Sequence, residues 1–396
     1  MSQELGRSEL EAMIRAGAEH ARARTIAQTD DVLALPAARY TDPEIFAAEV
    51  KRIFRRLPLM LAASAELPEP GDFKTLMAAG VPVLITRGAD GEARAFVNTC
   101  SHRGAQVVVE AKGNARRFTC PYHGWTFSGA GELMGVAAAD DFGDVDRGCL
   151  GLPPLQCCER AGLIWVNLDP EPKVSFDAFL AGYDRLLGNF GFANWRFFQS
   201  RVIRGPNWKI AYDGYLDFYH LPVLHKATFG EAMSNRALYY AWGPHQRVQA
   251  PSDDLAALAA LPETDRTVES MLGGVWTIFP HISIASFDRG GRAVMISQLL
   301  PGAQVGESFT TQIYLTEKVP DAAGAAELDA QFKFLEHVVR DEDYATGLRQ
   351  QEALESGLRP TVLFGRNEGG AQRFHGWVDR VLAADDADLA ALFSAP

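Results

Sequence analysis

Two cysteines and two histidines stand in the sequence as two short pairs. Cys100 and His102 form a C-x-H pair, and after seventeen residues Cys120 and His123 form a C-x2-H pair. Two thiolates and two imidazoles on neighbouring loops can bind one tetrahedral zinc ion. They can also bind a [2Fe–2S] centre in which the cysteines hold one iron and the histidines the other. Ordinary packing does not require four such ligands at this spacing, so we expect a metal site.

A second pair of histidines, His220 and His225, follows in the second half of the chain. Residues five apart do not share a face of a regular helix, but Pro222 between them breaks or distorts the helix and could bring both imidazoles to one centre. Two histidines and one carboxylate make the facial triad that binds ferrous iron and leaves positions open for O₂. We expect a mononuclear iron here, because an iron–sulfur cluster needs an acceptor for its electrons.

Both motifs resemble those of Rieske non-haem iron oxygenase α subunits, the aromatic ring-hydroxylating dioxygenases. The first motif matches the Rieske pattern in residue type, order and spacing, which favours the [2Fe–2S] centre over zinc. The segment from Asn207-Trp208-Lys209 to His225 matches the family's catalytic motif, in which N-W-K precedes an acidic residue and two histidines. The resemblance extends over residues 40–380.

The resemblance implies a role for each matching residue. The predicted ligands are Cys100, His102, Cys120 and His123 for the cluster, and His220, His225 and Asp343 for the mononuclear iron. Asp343 stands on a late acidic helix on which Asp341 is the alternative ligand, since at most one of the two should point inward. Asp217 is predicted to be the catalytic acidic residue that hydrogen-bonds a cluster histidine of the neighbouring subunit and relays electrons.

Some positions depart from related patterns. Ala105 and Tyr122 stand where respiratory Rieske proteins have a bracing disulfide, and Trp125 stands where those proteins have a serine that donates a hydrogen bond to the cluster. Fewer hydrogen bonds to the sulfurs lower the reduction potential, which suits a cluster that feeds an oxygenase. Asp213-Gly214 replaces a frequent Glu-Asn, which changes the hydrogen bonds around the iron but not its ligands.

The composition predicts a globular protein. The chain has 396 residues, 47% of them hydrophobic and 22% charged, which excludes a disordered protein. Its net charge of −12 is opposite to that of a nucleic-acid binder. The longest apolar runs fall far short of a membrane span of about 20 residues. The amino terminus lacks a signal-peptide pattern, and five cysteines indicate a reducing compartment, so we expect a cytoplasmic protein.

The predicted fold class is α+β. We expect an N-terminal helical segment over 1–57 that packs on the catalytic domain, a small all-β Rieske domain over 58–168, and a larger catalytic domain over 169–396. The resemblance implies that this last domain is of the helix-grip type, with an antiparallel sheet. Helices are predicted over 5–28, 43–56, 327–352 and 379–393, four consecutive strands between 275 and 315, and a mobile surface excursion over 250–270.

The predicted substrate is an apolar, aromatic or alicyclic small molecule. Nine apolar side chains are candidates for its pocket, with plain core packing as the alternative for each: Leu216, Leu224, Phe229, Trp276, Ile278, Ile282, Ile284, Phe287 and Met295. No basic cluster stands among the strands to hold a carboxylate. Lys209, Arg201, Arg204 and His281 are isolated, and we expect surface or structural roles for them.

The electrons must come from another protein, because the glycine-containing turns lack the strand–GxGxxG–helix setting of a nicotinamide or flavin site. We therefore expect a ferredoxin, a flavin reductase or both, fed by NAD(P)H. Arg52, Arg55, Arg56 and Arg103 are predicted to form a basic dock for such an acidic partner. The resemblance also implies a head-to-tail homotrimer and leaves open whether a β subunit joins it.

Three functions remain open at this point. The first is a terminal oxygenase that inserts one or both atoms of O₂, with a Rieske-type oxidative O- or N-demethylase as its variant. The second is an electron-transfer iron–sulfur protein, and the third a zinc-stabilised binding module. The segments 365–368 and 374–377 resemble a region near the end of the family's chains. We assign them no mechanism and expect a structural role for His375.

Overall fold

The computed structural model describes residues 2–230, 233–288 and 290–394. The N-terminal part holds α1 (Ser2–Ala23), β1 (Leu33–Pro36), α2 (Ala38–Thr41), α3 (Pro43–Glu49) and a π-helical turn (Val50–Phe54). Asp42 caps α3, since its side chain accepts hydrogen bonds from the amides of Glu44 and Ile45, and Pro43 occupies the first turn. The predicted helix over 5–28 therefore ends earlier, at Ala23, and the helix over 43–56 changes to a wider π-turn after Glu49.

A small all-β unit follows. Its elements are β2 (Leu59–Ala63), β3 (Asp72–Ala78), β4 (Val81–Arg87), β5 (Ala93–Val97), β6 (Lys112–Asn114), β7 (Arg117–Thr119), β8 (Thr126–Ser128), β9 (Leu133–Gly135), α4 (Ala139–Phe142), β10 (Pro154–Leu155), β11 (Cys157–Arg160) and β12 (Leu163–Val166). They form a five-stranded sheet (β10-β5-β4-β3-β6) and two three-stranded sheets (β11-β12-β2 and β7-β8-β9). The turn between β4 and β5 contains Gly91 with a φ of +83°, as the Asp90-Gly91 signal predicts.

The rest of the chain is mixed. It holds α5 (Phe176–Leu180), α6 (Tyr183–Leu187), β13 (Arg196–Gly205), α7 (Trp208–Asp213), α8 (Leu221–Leu224), α9 (Lys226–Phe229), β14 (Leu238–Trp242), β15 (His245–Gln249), α10 (Asp253–Ala260), β16 (Val275–Ile278), β17 (Ile282–Phe287), β18 (Ala293–Pro301), β19 (Ser308–Thr316), α11 (Ala322–His337), α12 (Ala345–Glu355), β20 (Thr361–Phe364), α13 (Gly369–Ala383) and α14 (Asp386–Ser394). A π-helical segment, Val338–Tyr344, joins α11 to α12.

A seven-stranded antiparallel sheet is the centre of this part, in the order β13-β19-β18-β17-β16-β15-β14. The four predicted consecutive strands are β16 to β19, and the α+β class with antiparallel sheets is confirmed. Strands β14 and β15 were not predicted. All five residues of β15 are buried although four are polar, among them His245 and Arg247, so no apolar alternation marked the strand.

The two faces of this sheet have different neighbours. One face carries Trp276, and Gln298 on it donates a hydrogen bond to the carbonyl of Met60 in β2. The other face carries polar side chains that contact the helices: Thr310 bonds the hydroxyl of Tyr344. The helices α7 and α12 lie across the polar face, and α6, together with β2 of the all-β unit, lies against the apolar one.

Several predicted helix positions are corrected. The predicted terminal helix over 379–393 is two helices, α13 and α14, which are separated by Ala384 and Asp385. The predicted helix over 327–352 contains the π-helical segment. The region 250–270 contains α10, which packs against α1. In the part of the chain that the structure describes, no helix is long and apolar enough to cross a membrane.

Candidate active site

The first group of site residues lies on two loops of the all-β unit that have the same construction. One loop carries Cys100 and His102, and the amide of Gly104 donates to the carbonyl of Cys100 at 2.9 Å. The other carries Cys120 and His123, and the amide of Gly124 donates to the carbonyl of Cys120 at 3.0 Å. Both glycines have positive φ angles, +77° and +69°, which residues with a side chain rarely adopt. Each turn thus closes four residues after its cysteine, whereas the histidine stands two residues after the cysteine in the first turn and three in the second.

The two loops bring their four side chains together. The rings of His102 and His123 are 4.7 Å apart, and both cysteines are buried. Burial raises the pKa of the Cys100 thiol, the amides of His102 and Arg103 act in the opposite direction, and the neighbouring Cys120 thiol raises the pKa further. Nδ1 of His102 is buried without a hydrogen-bond partner in the described structure. A buried ring nitrogen without a partner and amides directed at a sulfur fit a metal–sulfur centre.

The second group comes from two helical segments. His220, His225 and Asp343 each offer one atom within 4.8 Å of the others, the only set of three such groups found among the described residues. Nε2 of His225 is 3.1 Å from Oδ1 of Asp343, and Nε2 of His220 is 3.7 Å from the same oxygen. Two imidazole nitrogens and a carboxylate at these distances are a donor set for ferrous iron.

The one-turn helix α8 explains how histidines five residues apart converge. His220 is its N-cap and His225 its C-cap, so each ring stands at one end of the helix. Pro222 lies in the first turn, where the missing N–H leaves no hydrogen bond unmade. The helix is interrupted before His220, in the turn that follows α7, and not at the proline as the sequence suggested.

Each histidine has a carboxylate on its other nitrogen. Nδ1 of His220 is 3.0 Å from Oδ1 of Asp217, and Nδ1 of His225 is 2.7 Å from Oε2 of Glu342. Burial lowers the pKa of His225, but Asp343 and Glu342 outweigh it and raise the pKa. If each Nδ1 donates its proton to the carboxylate, each Nε2 directs a lone pair at the position that a metal ion would occupy.

The π-helical segment separates three consecutive acidic residues. Asp341 is exposed and bonds Arg340 and His337, so it lies outside the site. Glu342 and Asp343 both reach His225, one on each side of the ring. The structure therefore brings together His220, His225 and Asp343 and leaves out the alternative, Asp341. Glu342 was missed because nothing in the sequence announces the wider π-turn that directs two adjacent carboxylates to one ring.

A cavity of about 240 Å³ borders His220 and Asp217. Its wall includes Asp213, Asp217, Asp343 and Glu368. Burial raises the pKa of the Glu368 carboxyl, and the charges of Asp217 and Asp213 raise it further. The segment 365–368, to which the sequence assigned no mechanism, thus forms part of the cavity wall through Glu368.

The other end of the same C-terminal segment is anchored away from the histidine pair. Nε2 of His375, which is fully buried, lies 3.0 Å from Oδ1 of Asp213 and 3.1 Å from the hydroxyl of Tyr40. Tyr40 also donates to the other oxygen of Asp213 at 3.0 Å. His375 therefore joins three helices, α2, α7 and α13.

The N-W-K segment fastens α7 to the N-terminal part. Asn207 caps the helix by accepting from the amide of Lys209. The Lys209 ammonium and the indole N–H of Trp208 both donate to Oε2 of Glu49, at 2.5 and 2.8 Å. Lys209 and Glu49 are fully buried. The prediction that Lys209 is isolated is wrong, because its partner stands 160 positions earlier in the chain, beyond the reach of local pattern.

Part of the predicted pocket is corrected. Trp276, Ile278, Ile282 and Ile284 share the sheet face that lies away from the helices of the site. Alternation along a strand identifies a buried face but does not show which neighbour covers it. Phe287 and Met295 pack with α11 instead, and Leu216 is fully buried in the main core. Leu224 and Phe229 do lie beside the histidines: Leu224 lines the cavity, and the Phe229 ring is 5.6 Å from that of His225.

The predicted basic dock is corrected in part, because Arg103 lies apart from the other three arginines. Arg52 and Arg56 donate to the carbonyl of Ala384 after α13, and Arg55 donates to that of Ala79. These guanidinium groups complete the hydrogen bonds of a helix end and a turn, so they have structural roles, although Arg55 is also exposed. Arg103 stands apart from them on the Cys100 loop, where it lies over the ring of Tyr122.

Two family models match the chain. Residues 58–148 match the Rieske [2Fe-2S] domain, and residues 192–384 match the catalytic domain of the ring hydroxylating alpha subunit. Curated relatives include a glycine betaine monooxygenase oxygenase subunit of Chromohalobacter salexigens, 33% identical over 52% of this chain and 46% of the relative. They also include an anthranilate 1,2-dioxygenase large subunit of Acinetobacter baylyi, 30% identical over 50% of this chain and 43% of the relative. The chain spans about half the length of these curated relatives.

Solved structures share the fold over nearly the whole chain. A quaternary ammonium Rieske monooxygenase superposes with a TM-score of 0.72 at 22% identity, covering 90% of this chain and 96% of that one. Naphthalene 1,2-dioxygenase from Rhodococcus sp., bound to indole, superposes with a TM-score of 0.74 at 22% identity, covering 95% of this chain and 99% of that one.

Proposed function

The chain belongs to the family of Rieske non-haem iron oxygenase α subunits, and on that premise we propose that it is the terminal oxygenase component of a multi-protein enzyme. The observation that carries the proposal is the presence of two different donor sets in one chain. One set has two thiols and two imidazoles, and the other has two imidazoles and a carboxylate. An electron-transfer protein needs only the first set.

The proposed ligands are those predicted from the sequence. Cys100, His102, Cys120 and His123 would hold the [2Fe–2S] cluster, and His220, His225 and Asp343 the ferrous ion. When bound, the cluster supplies single electrons and the ferrous ion supplies open positions for O₂.

Asp217 is proposed to link the two centres between subunits. Its carboxylate is 3.0 Å from Nδ1 of His220 and borders the cavity, and Tyr219 and Val223, which are adjacent in sequence to His220 and Leu224, have exposed side chains. The loop that carries Cys120 and His123 likewise exposes the ring of Tyr122. Apolar surface at both places supports a head-to-tail homotrimer in which a cluster histidine of one subunit approaches Asp217 of the next. The division of the chain at 1–57, 58–168 and 169–396 is part of this proposal.

Complementation tests this arrangement. We expect a mixture of Cys100→Ser and His225→Ala chains, refolded or co-expressed as mixed trimers, to recover activity that neither variant has alone. Recovery requires that electrons from an intact cluster reach an intact iron site on another chain. Mixed trimers that remain inactive would contradict the proposed transfer between subunits.

The proposed electron donor is a ferredoxin, a flavin reductase or both, which take electrons from NAD(P)H. The proposed substrate is an aromatic small molecule, because the rings of Phe229 and Phe334 lie 5.5 Å apart beside His225 and are both partly exposed. Aromatic rings also attract quaternary ammonium groups, so oxidative N-demethylation is the second candidate.

Metal analysis and a substrate screen test the function. We expect a red-brown protein with three irons per chain and a cluster absorption spectrum. Two irons would favour the electron-transfer protein, and zinc in a colourless protein would overturn the proposal. With a surrogate reductase and ¹⁸O₂, products from aromatic and quaternary ammonium compounds show by their mass whether one or two oxygen atoms are inserted. The variants His220→Ala and His225→Ala should keep the cluster spectrum and form no product.

A further inference from the structure

A short segment folds over the loop that carries His123. Residues 137–142, which we name the cover segment, begin beside Gly124, where an added Cβ would lie 3.2 Å from that of Ala137. Ala138 then adopts a left-handed conformation with a φ of +49° and starts the one-turn helix α4. Non-glycine residues seldom adopt this conformation unless their surroundings require it, so the turn of the cover segment is set by the contacts it makes.

The cover segment places Phe142 against a predicted cluster ligand. The rings of His102 and Trp125 are stacked, with centroids 5.0 Å apart and planes 11° from parallel. The Phe142 ring is nearly perpendicular to both, 5.3 Å from His102 and 5.5 Å from Trp125. A ring that contacts both members of a stack at right angles lies along their common edge. Phe142 therefore closes one side of the His102 imidazole that would otherwise face water.

We propose that Phe142 shields the His102 side of the cluster from water and thereby keeps the reduction potential of the cluster low. With two thiolates and two neutral imidazoles, the oxidised cluster has no net charge, and one added electron gives it a charge of −1. Water stabilises this charge, so excluding water favours the oxidised form. Phe142 is 45% exposed, so only the side that faces the two rings contributes to the shield.

Redox titration of the full-length protein tests the proposal. We expect Phe142→Ala to raise the midpoint potential of the cluster. At a fixed solution potential, the ratio of reduced to oxidised cluster should increase several-fold and at most about tenfold. A tenfold increase corresponds to ~59 mV for one electron. Phe142→Leu, which keeps part of the apolar cover, should give a smaller rise. Phe142→Tyr should match the parent. Met134→Ala is the control, because Met134 is an exposed apolar residue of the same unit and its substitution should leave the potential unchanged.

A midpoint potential that is highest in Phe142→Ala, intermediate in Phe142→Leu and lowest in the parent supports the shield. The same potential in all variants, a fall in potential, or an equal shift in Met134→Ala overturns it. If Phe142→Ala binds no cluster, the comparison of Phe142→Leu with the parent decides. The inference rests on the [2Fe–2S] centre of the proposed function, and the two can fail separately: a colourless parent protein refutes the centre, whereas a coloured protein with an unchanged potential refutes only the shield.

Discussion

Substitution of Glu342 tests most directly how the proposed iron ligands are held in position. It lies 2.7 Å from Nδ1 of His225, and its side chain is only 15% exposed. Its other oxygen accepts a hydrogen bond from Thr228. If this carboxylate fixes the His225 ring so that Nε2 faces the metal, its removal should weaken iron binding without removing a ligand.

The size of the effect follows from the kind of hydrogen bond. A bond to a charged group is worth about 1.5–3 kcal/mol, so Glu342→Ala should weaken Fe(II) binding by about 10- to 150-fold. Glu342→Gln keeps an acceptor but loses the charge. It should therefore lose only about 1–1.5 kcal/mol, or roughly five- to tenfold in affinity.

Competition with a ferrous chelator measures this affinity, and the visible spectrum shows in the same sample that the cluster is intact. Asp341→Asn is the matched control, because Asp341 is the preceding carboxylate, is exposed and bonds Arg340 and His337 instead. Asp341→Asn should bind iron like the parent. The reasoning is refuted if Glu342→Ala also binds like the parent, or if Asp341→Asn loses iron to the same degree.

Two further predictions concern stability. Lys209→Met should lower the free energy of unfolding by about 3–5 kcal/mol, because it leaves Glu49 buried without its counter-charge. The double variant Lys209→Met with Glu49→Gln should recover most of this loss when both are compared by urea unfolding. A double variant that is less stable than Lys209→Met contradicts this. Burial lowers the pKa of His245 from 6.5 to about 4. Between these two pH values the unfolded chain therefore binds a proton at His245 that the folded chain does not bind. The contribution of neutral, buried His245 to the free energy of unfolding is therefore fully present above pH 6.5, and it falls by about 2 kcal/mol as the pH is lowered to 5. His245→Gln should flatten this part of the pH–stability curve, and an unchanged slope refutes the assignment.

The local pattern of the sequence carried most of the information about ligands. The spacing of Cys100, His102, Cys120 and His123 predicted their convergence, since short loops bring near neighbours together. The spacing of His220 and His225 predicted a distorted helix between them, although the interruption falls before His220. Such short-range features depend on turn chemistry, which is written in a few adjacent residues.

Features that depend on distant parts of the chain could not be predicted. Glu342 and Asp343 both reach His225 only because a π-turn interrupts the helix, and no residue type signals that turn. The Glu49–Lys209 pair joins residues 160 positions apart. The apolar residues of β16 and β17 were correctly taken as buried but assigned to the wrong side, because a strand pattern does not record which layer covers each face.

The fastening of the N-terminal part has a consequence for the order in which the protein is made. Strand β1 pairs with β20, and Arg52 and Arg56 bind the carbonyl that follows α13. Strand β1 and these two arginines therefore wait for their partners until the segment from β20 to α13 has been made, while the all-β unit between them can fold earlier from its own neighbouring strands. The all-β unit is thus an insertion within a larger framework whose two halves join around it.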